Sequence, residues 1–246
     1  MFPIRDHNPT LRTPFVVYAL IAANVFVFAL QVPYMADERE LAGFWSDRAL
    51  YPALVTVYGD YTGIFTSMFL HAGFLHLAGN MLFLWIFGDN LEDQMGHLGF
   101  LAFYLASGIA AALAHIVAAP DSFVPTVGAS GAIAGVMGGY ILMFPKARVD
   151  VLLIIIIFVR VFSLPAWIIL GIWFAIQIYV GVGTSVEGGG VAYWAHSGGF
   201  AAGLLLILPL WLRRGGTGFW SRTDGKPPHP ETVYAPSRIP TIRRRR

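Results

Sequence analysis

Ser130 and His196 lie within apolar stretches of the sequence, where strongly polar side chains are costly and usually mark a functional site. Ser130 stands in the run Gly128-Ala129-Ser130-Gly131, a glycine-flanked setting that is typical of exposed nucleophiles. A serine hydroxyl is a weak nucleophile at neutral pH and needs an adjacent base, for which histidine is the usual choice. The two residues therefore predict a nucleophile and its general base.

A second polar group precedes this pair in the chain. His76 and Asn80 are four residues apart, so they share one face of a helix, and both can donate hydrogen bonds to an oxyanion. The backbone N–H of Ser130, at the start of a helix, is a third candidate donor. His71 lies about 140° around the helix from His76 and is expected to point elsewhere or to lie in the loop above.

Several histidines also raise the possibility of a metal site. The sequence has no H-E-x-x-H pattern, and no acidic residue lies near the histidines at the same depth, which disfavours zinc. With no cysteine in the chain, thiolate metal sites, disulfides and cysteine nucleophiles are excluded. We therefore expect neither a metal nor an organic cofactor.

The elements that carry these residues are predicted to cross a membrane. Of the 246 residues, 57% are hydrophobic and only 12% are charged, about half the charge of an ordinary soluble domain. Several segments approach the roughly 20 apolar residues that a membrane helix needs. We expect an all-α membrane protein with six transmembrane helices and a long first external loop at residues 33–62. The predicted spans are residues 15–32, 64–87, 98–118, 128–144, 166–182 and 193–212.

Charge placement predicts the orientation and the domain limits. Six spans put both termini on one side of the membrane, and 14 of the 16 Lys and Arg residues then fall on that side. The positive-inside rule makes this side the cytoplasm. We expect the membrane to be the cell membrane, with the active site opening to its outer side. Residues 1–13 form a cytoplasmic segment, 14–212 the membrane domain, and 213–246 a basic tail that is predicted to be disordered. A signal peptide competes for the first span, but no small-x-small site precedes Pro33.

The basic tail also admits nucleic-acid binding, but its arginine run is short and follows a membrane domain, so we expect no nucleic-acid partner. Residues 151–165 mix β-branched residues with Arg160 and Pro165, which favours an interfacial or shallowly buried segment over a helix. Two other intramembrane polar residues lack a partner motif. His115 is expected to be structural or to contact water, and Gln177 to make a hydrogen bond between packed spans.

The topology places the polar residues of three spans at one depth. Spans two, four and six all run from the outside inward, so His76, Ser130 and His196 fall in the outer half of the membrane. Span four carries glycine every fourth residue at 131, 135 and 139, and span six carries Ala195, Gly199 and Gly203 at the same spacing. Such small-residue stripes let membrane helices approach closely. If the stripes face each other, serine and imidazole come within hydrogen-bond reach.

Together these motifs resemble the rhomboid family of intramembrane serine proteases. The resemblance covers residues 14–212, and each motif stands on the expected span. The matching motifs are His71-x4-His76-x3-Asn80, Gly128-Ala129-Ser130-Gly131, Ala195-His196-x2-Gly199-x3-Gly203 and, after span two, Glu92-x3-Gly96.

The resemblance implies a role for each matching position. Ser130 would be the nucleophile and His196 the base of a dyad without a carboxylate. The oxyanion hole would be formed by His76, Asn80 and the Ser130 amide, with His71 and Gly128 in supporting positions. The substrates implied are single-span membrane proteins, cut in or near the transmembrane segment within the lipid bilayer. The sequence indicates no oligomeric state.

The chain departs from the family pattern at two places. The Trp-Arg pair that many members carry in the first external loop is interrupted here, as Trp45-Ser46-Asp47-Arg48. The tyrosine that some members place four residues after the nucleophile is Ala134 here, so the imidazole must be supported from elsewhere.

Two other functions fit parts of the pattern. The first is a catalytically silent relative that binds membrane-protein clients, although such proteins typically lack the serine or the histidine. The second is a transporter or channel, which would carry polar residues through the full membrane depth. The inner halves of spans two, four and six are almost wholly apolar, which disfavours a transport path.

Overall fold

Helices make up most of the chain in the computed structural model, which describes residues 2–155, 158–184 and 191–228. Ten α-helices and three strands occur within those ranges. The helices are α1 Phe15–Gln31, α2 Glu38–Trp45, α3 Pro52–Tyr58, α4 Thr62–Thr66, α5 Phe74–Met95, α6 His97–Ala118, α7 Ser130–Met143, α8 Ala166–Gly183, α9 Tyr193–Arg213 and α10 Thr217–Thr223. The strands are β1 Phe2–Asp6, β2 Arg148–Ile155 and β3 Phe158–Pro165.

Four helical segments are long and apolar enough to cross a bilayer, namely Phe15–Tyr34, α6, α8 and α9. The segment Thr62–Phe69 and α5 pass the same test as a pair, with a bend of 89° between them. The fourth predicted span, α7, has only 14 residues, which is about 21 Å of helix and shorter than the hydrocarbon core. The chain is therefore a multi-pass membrane protein, and a count of six full crossings stays a prediction.

The short helix α7 lies at the centre of the bundle. Nearly all of its residues are buried, and it packs against α5, α6, α8 and α9. Its contact with α9 is the closest in the bundle, since a Cβ built at Gly199 would overlap the carbonyl oxygen of Gly131. The same is true of Gly203 and the carbonyl of Gly135. The prediction that the two small-residue stripes face each other is thus confirmed for Gly131 and Gly135, whereas the third glycine of span four, Gly139, lies against Phe103 and Leu91.

A three-stranded antiparallel sheet, in the order β1-β2-β3, departs from the all-α expectation. β2 and β3 pair as an antiparallel hairpin. They include most of residues 151–165, the segment predicted to be interfacial because its β-branched residues disfavour a helix. Such side chains suit a strand, and pairing satisfies the backbone groups that a helix would otherwise satisfy. The sequence-based interpretation recognised the unsuitability for a helix but missed the strand pairing.

The N-terminal segment supplies the third strand. β1 pairs with β2, and Arg5 Nε donates to Asp150 Oδ2 at 2.7 Å across the pair. Burial works to raise the pKa of Asp150, but hydrogen bonds and charge from His7 and Arg5 outweigh it and hold that pKa below its ordinary value. These contacts tie residues 2–7 to the hairpin.

The start of the C-terminal tail is ordered, whereas disorder was predicted from residue 213 onward. α10 covers residues 217–223, and Phe219 is buried against Phe144. Trp220 Nε1 donates to the carbonyl of Leu142 at 2.9 Å, and Lys146 pairs with Asp224 at 2.7 Å. The prediction for residues 229–246 lies outside the described residues.

β1, the hairpin and α10 therefore meet at one end of the bundle, beside the C-terminal end of α7. Ser130, at the other end of that helix, is about 20 Å away. Between α1 and α5 the chain folds into two 3-10 turns and the short helices α2, α3 and α4. This first loop reaches the loop before α7 through an isolated bridge of Leu50 to Thr126.

Candidate active site

Ser130 begins α7, and the residues before it fix where that helix starts. Gly128 has φ +130°, which a residue with a side chain rarely adopts. The Gly128 N–H donates to the Ser67 carbonyl at 2.9 Å, which ties this loop to the 3-10 turn at residues 67–69. The first N–H groups of a helix have no partner within it, so the amide of Ser130 is free of the α-helical ladder.

His196, in the first turn of α9, faces Ser130 across the contact of α7 with α9. Its Nε2 lies 2.7 Å from Ser130 Oγ, a hydrogen-bond distance. The approach depends on the small residues beside the pair, because a Cβ at Gly131 would overlap Ala111 and lie 3.7 Å from the Ala195 carbonyl. Close backbone packing thus brings together two side chains that are 66 residues apart.

The other ring nitrogen of His196 is occupied by a residue from α8. Gln177 Oε1 lies 2.8 Å from His196 Nδ1, and Gln177 is 7% exposed. The ring of Trp173, one turn earlier on α8, packs near the imidazole with centroids 5.8 Å apart and an interplanar angle of 34°. The sequence-based interpretation gave Gln177 only a packing role. The four-residue spacing of Gln177 from Trp173 places both on one face of α8 but does not indicate a contact with His196.

His76 lies beside Gly128, close to the start of α7. A Cβ built at Gly128 would lie 2.9 Å from His76 Nε2 and 3.5 Å from Ser130 Oγ, so both groups border the same point. The backbone N–H of Ala72 donates to His76 Nδ1 at 3.3 Å. A neutral ring that accepts at Nδ1 carries its proton on Nε2, the nitrogen on the Gly128 side. His76 is therefore set up as a donor next to the hydroxyl.

Asn80, one turn further along α5, also contributes a donor. It is 7% exposed, and its Nδ2 has no hydrogen-bond partner among the residues that the structure describes. A buried amide without a partner is costly, so a group that accepts from it would be stabilised there. His76 and Asn80 lie on one helix face, as their spacing predicted, and both line the cavity described below.

His71 lies behind His76 instead of beside Ser130. It is fully buried, and Gln31 accepts from its backbone N–H and donates to its carbonyl. Its ring meets that of His76 edge-on, with centroids 5.2 Å apart and an angle of 70°. His71 lies in the loop before α5, as one of the two expectations had it. Its ring packs against His76 from outside the cavity.

His115 links α6 to the loop before α7. Its Nε2 lies 2.9 Å from Thr126 Oγ1, and Thr126 pairs with Leu50 through two backbone hydrogen bonds. The ring thereby holds the loop that leads to Gly128. This contact agrees with the structural role predicted for His115.

A cavity of about 740 Å³ opens above Ser130. Most of its lining is apolar, and the described residues that line it include no carboxylate. Its polar members come from α5, α7 and α9, together with Ser67 and Thr126 from the neighbouring turn and loop. Those polar members include His76, Asn80, Ser130 and His196. No group of three metal-binding side chains occurs within residues 2–155, 158–184 and 191–228. The donors converge on a space beside a hydroxyl, an arrangement suited to acyl transfer.

Comparison with known proteins gives one family. Residues 58–213 match the model of the Rhomboid domain. The chain is 34% identical over 197 residues to Rhomboid protein 1, mitochondrial, of Saccharomyces cerevisiae, which covers 77% of this chain and 51% of the yeast protein. It is 31% identical over 153 residues to the bovine presenilin-associated rhomboid-like protein, mitochondrial, covering 61% of this chain and 37% of that one.

A bacterial relative carries a protease name. The chain is 42% identical over 80 residues to Rhomboid protease GluP of Bacillus subtilis, which covers 32% of this chain and 15% of that protein. The chain spans about half the length of the yeast relative and less of the bovine and Bacillus ones.

Proposed function

The chain belongs to the rhomboid family, and from this membership and the contact of Ser130 with His196 we propose that it is an intramembrane serine endopeptidase. The observation that carries the proposal is the 2.7 Å distance between Ser130 Oγ and His196 Nε2. A histidine at this distance can remove the hydroxyl proton as the oxygen attacks a carbonyl carbon.

In the first half of the reaction Ser130 Oγ attacks the scissile carbonyl, and its proton passes to His196 Nε2. The carbonyl oxygen becomes an oxyanion and accepts hydrogen bonds from the Ser130 N–H, His76 Nε2–H and Asn80 Nδ2–H. The C–N bond then breaks, and the proton on His196 goes to the departing amine. An ester of Ser130 and a shortened chain with a free amine result.

In the second half a water molecule replaces the amine. His196 removes its proton as the water oxygen attacks the ester, the same three donors stabilise the oxyanion, and the ester bond breaks. The proton returns to Ser130 Oγ, and a carboxylic acid leaves. In sum, one peptide bond and one water molecule are converted into one carboxylic acid and one amine. No step of this cycle changes an oxidation state or uses a metal.

The substrates we propose are single-span membrane proteins cut in or near their transmembrane segment. An apolar lining with a few convergent donors suits an extended apolar peptide and its carbonyl. A substrate helix must unwind locally, because its carbonyls are otherwise engaged in the helix.

For the orientation we propose cytoplasmic termini and a cavity that opens to the opposite side. The clustering of β1, the hairpin and α10 at the end of the bundle away from Ser130 supports this. Localisation to the cell membrane stays a prediction, since two of the relatives bear mitochondrial names.

The test is cleavage of a single-span model substrate by the protein in liposomes. Ser130→Ala and His196→Ala should each lower the rate by about 10³-fold or more, and Ser130→Ala should abolish labelling by a fluorophosphonate. Ser197→Ala is the matched control, because Ser197 neighbours His196 in sequence but does not line the cavity. The proposal would be wrong if cleavage persisted in both variants, or if the fluorophosphonate labelled a serine other than Ser130.

A further inference from the structure

α8 meets the bundle along a single narrow stripe. Its buried residues are Ala166, Leu170, Gln177 and Gly181, while most of its other side chains face outward. Three of the four are apolar or have no side chain, so Gln177 is the polar member of this contact surface. At Gly181, α8 packs closely against α9, since a Cβ built there would lie 3.1 Å from the Cβ of Tyr193.

The side-chain amide of Gln177 contacts the imidazole of His196. Its Oε1 lies 2.8 Å from Nδ1, while Nε2 of the same ring lies 2.7 Å from Ser130 Oγ. The ring is therefore held at both nitrogens, one from α7 and one from α8. Trp173 adds packing from α8, whereas Ala134 on α7 has no side chain that reaches the ring plane.

The two nitrogens of a neutral imidazole have opposite roles. An amide oxygen only accepts, so a ring that bonds to it must carry its proton on Nδ1. The lone pair then resides on Nε2 and faces the serine hydroxyl. The other tautomer would direct a proton at that hydroxyl and could not accept one from it.

We propose that Gln177 is the positioning residue of His196, which fixes the ring in the tautomer and orientation that let Nε2 accept the Ser130 proton. This rests on the proposed peptidase function. Gln177 does not touch the reacting atoms and acts only through the base. Because Gln177 and Trp173 both come from α8, the orientation of the base depends on where α8 packs.

Three substitutions separate this role from simple packing. Gln177→Leu keeps the approximate size of the side chain but removes the acceptor, so it should lower kcat about 10- to 100-fold with little change in KM. Gln177→Asn shortens the side chain and should give a similar loss. Gln177→Glu keeps the acceptor and its reach, so it should stay active at neutral and alkaline pH.

The pH–rate profile gives a readout that packing alone would not move. A carboxylate beside Nδ1 favours the protonated ring, so Gln177→Glu should shift the acidic limb of the profile to higher pH. Among the described residues, the other titratable groups that act on His196 are His76 on α5 and His115 on α6, and both are unchanged in this variant. Asn24→Leu, which removes a buried amide from α1 that does not line the cavity, is the matched control and should leave the pH–rate profile unchanged.

The rate of fluorophosphonate labelling of Ser130 measures nucleophile activation directly and should fall in Gln177→Leu. Wild-type labelling in Gln177→Leu, or a wild-type acidic limb in Gln177→Glu, would overturn the positioning role. If Gln177→Leu does not fold, Gln177→Glu decides by its profile alone. Failure of the proposed function would look different, because the wild type itself would then cleave or label no faster than Ser130→Ala and His196→Ala.

Discussion

Gly203 of α9 lies directly against the carbonyl oxygen of Gly135 on α7, so close that a Cβ at residue 203 would overlap that oxygen. The same contact recurs one turn earlier, with Gly199 on the carbonyl of Gly131. Ser130 and His196 lie at the end of this seam. The distance between Ser130 and His196 is therefore set by the contact of the α7 backbone with the α9 backbone.

Gly203→Ala should push α9 away from α7, since the obstacle is backbone and cannot rotate aside. We expect a loss of about 1 to 3 kcal/mol in the free energy of unfolding and a fall in cleavage rate. Thermal unfolding in detergent and the liposome assay measure the two effects. Gly171→Ala on α8 is the control, because a Cβ there meets nothing within 4 Å. Equal stability and activity in Gly203→Ala and Gly171→Ala would show that the glycine contact between α7 and α9 does not set the position of His196 relative to Ser130.

Gly128→Ala tests the turn that precedes the nucleophile. The new Cβ would lie 2.8 Å from His76 Cε1, and φ of +130° is strained for alanine. We expect at least about a 10-fold fall in kcat, because the clash displaces a proposed oxyanion donor beside Ser130. Gly43→Ala on α2, where a Cβ has open space, serves as the control. An unchanged kcat in Gly128→Ala would show that His76 does not need its present position.

Glu92→Gln tests how α5 holds the start of α1. The Glu92 carboxylate is buried and accepts from the backbone N–H groups of Val16 and Val17, both at 2.9 Å, where the helix dipole favours a negative charge. The amide loses the charge and presents N–H to one donor, so we expect about 2 kcal/mol less stability. Glu40→Gln, at an exposed position on α2, should be neutral by the same thermal assay. A neutral Glu92→Gln would show that α1 is held by apolar packing alone.

The pH dependence of stability should report on Asp6 in β1. Burial, which outweighs the hydrogen bonds from Asn8 and Tyr140, raises the pKa of Asp6 to about 6. A carboxyl with a raised pKa binds its proton more tightly in the folded state, so its contribution favours folding at low pH and is lost as pH rises towards and past 6. Between pH 5 and pH 8 this amounts to about 1 kcal/mol.

Asp6→Asn should flatten that dependence, and the difference in melting temperature between pH 5 and pH 8 measures it. Asp121→Asn, an exposed carboxylate in the loop before α7, controls for general charge effects. Asp150 does not confuse this window, because its pKa is lowered: its stabilising contribution is present above the ordinary carboxyl pKa and is lost only as pH falls below about 4. A dependence that is the same in wild type and Asp6→Asn would exclude Asp6 as its source.

The local parts of the fold were accessible from the sequence because membrane helices follow from apolar length. The prediction of spans was sound for α1, α6, α8 and α9, and the apolar α7 was found although it is short. The sheet was missed because strand pairing joins residues 2–6 to residues 148–155, a contact between distant segments that composition does not reveal. The order of α10 was missed for the same reason, since it comes from contacts with Leu142 and Phe144.

The candidate site divides in the same way. Residue types and four-residue spacings singled out His76, Asn80, Ser130 and His196, and the glycine stripes gave a reason for helix contact. Their catalytic roles stay predictions that the variants above test. Gln177 was assigned only to packing, because nothing in its own segment shows that the imidazole of a helix 19 residues away faces it.

The sequence by itself determined a multi-pass rhomboid-family chain, the identity of its polar intramembrane residues and the stripes that allow two helices to touch. Those features are local, since apolar length, residue type and helical period are properties of consecutive residues. Only the tertiary structure decided that α8 places Gln177 on His196 Nδ1, that His71 backs His76, and that the N-terminal strand completes a sheet. Each of these depends on how separate helices and strands are rotated and packed, which is fixed by the sum of many distant contacts.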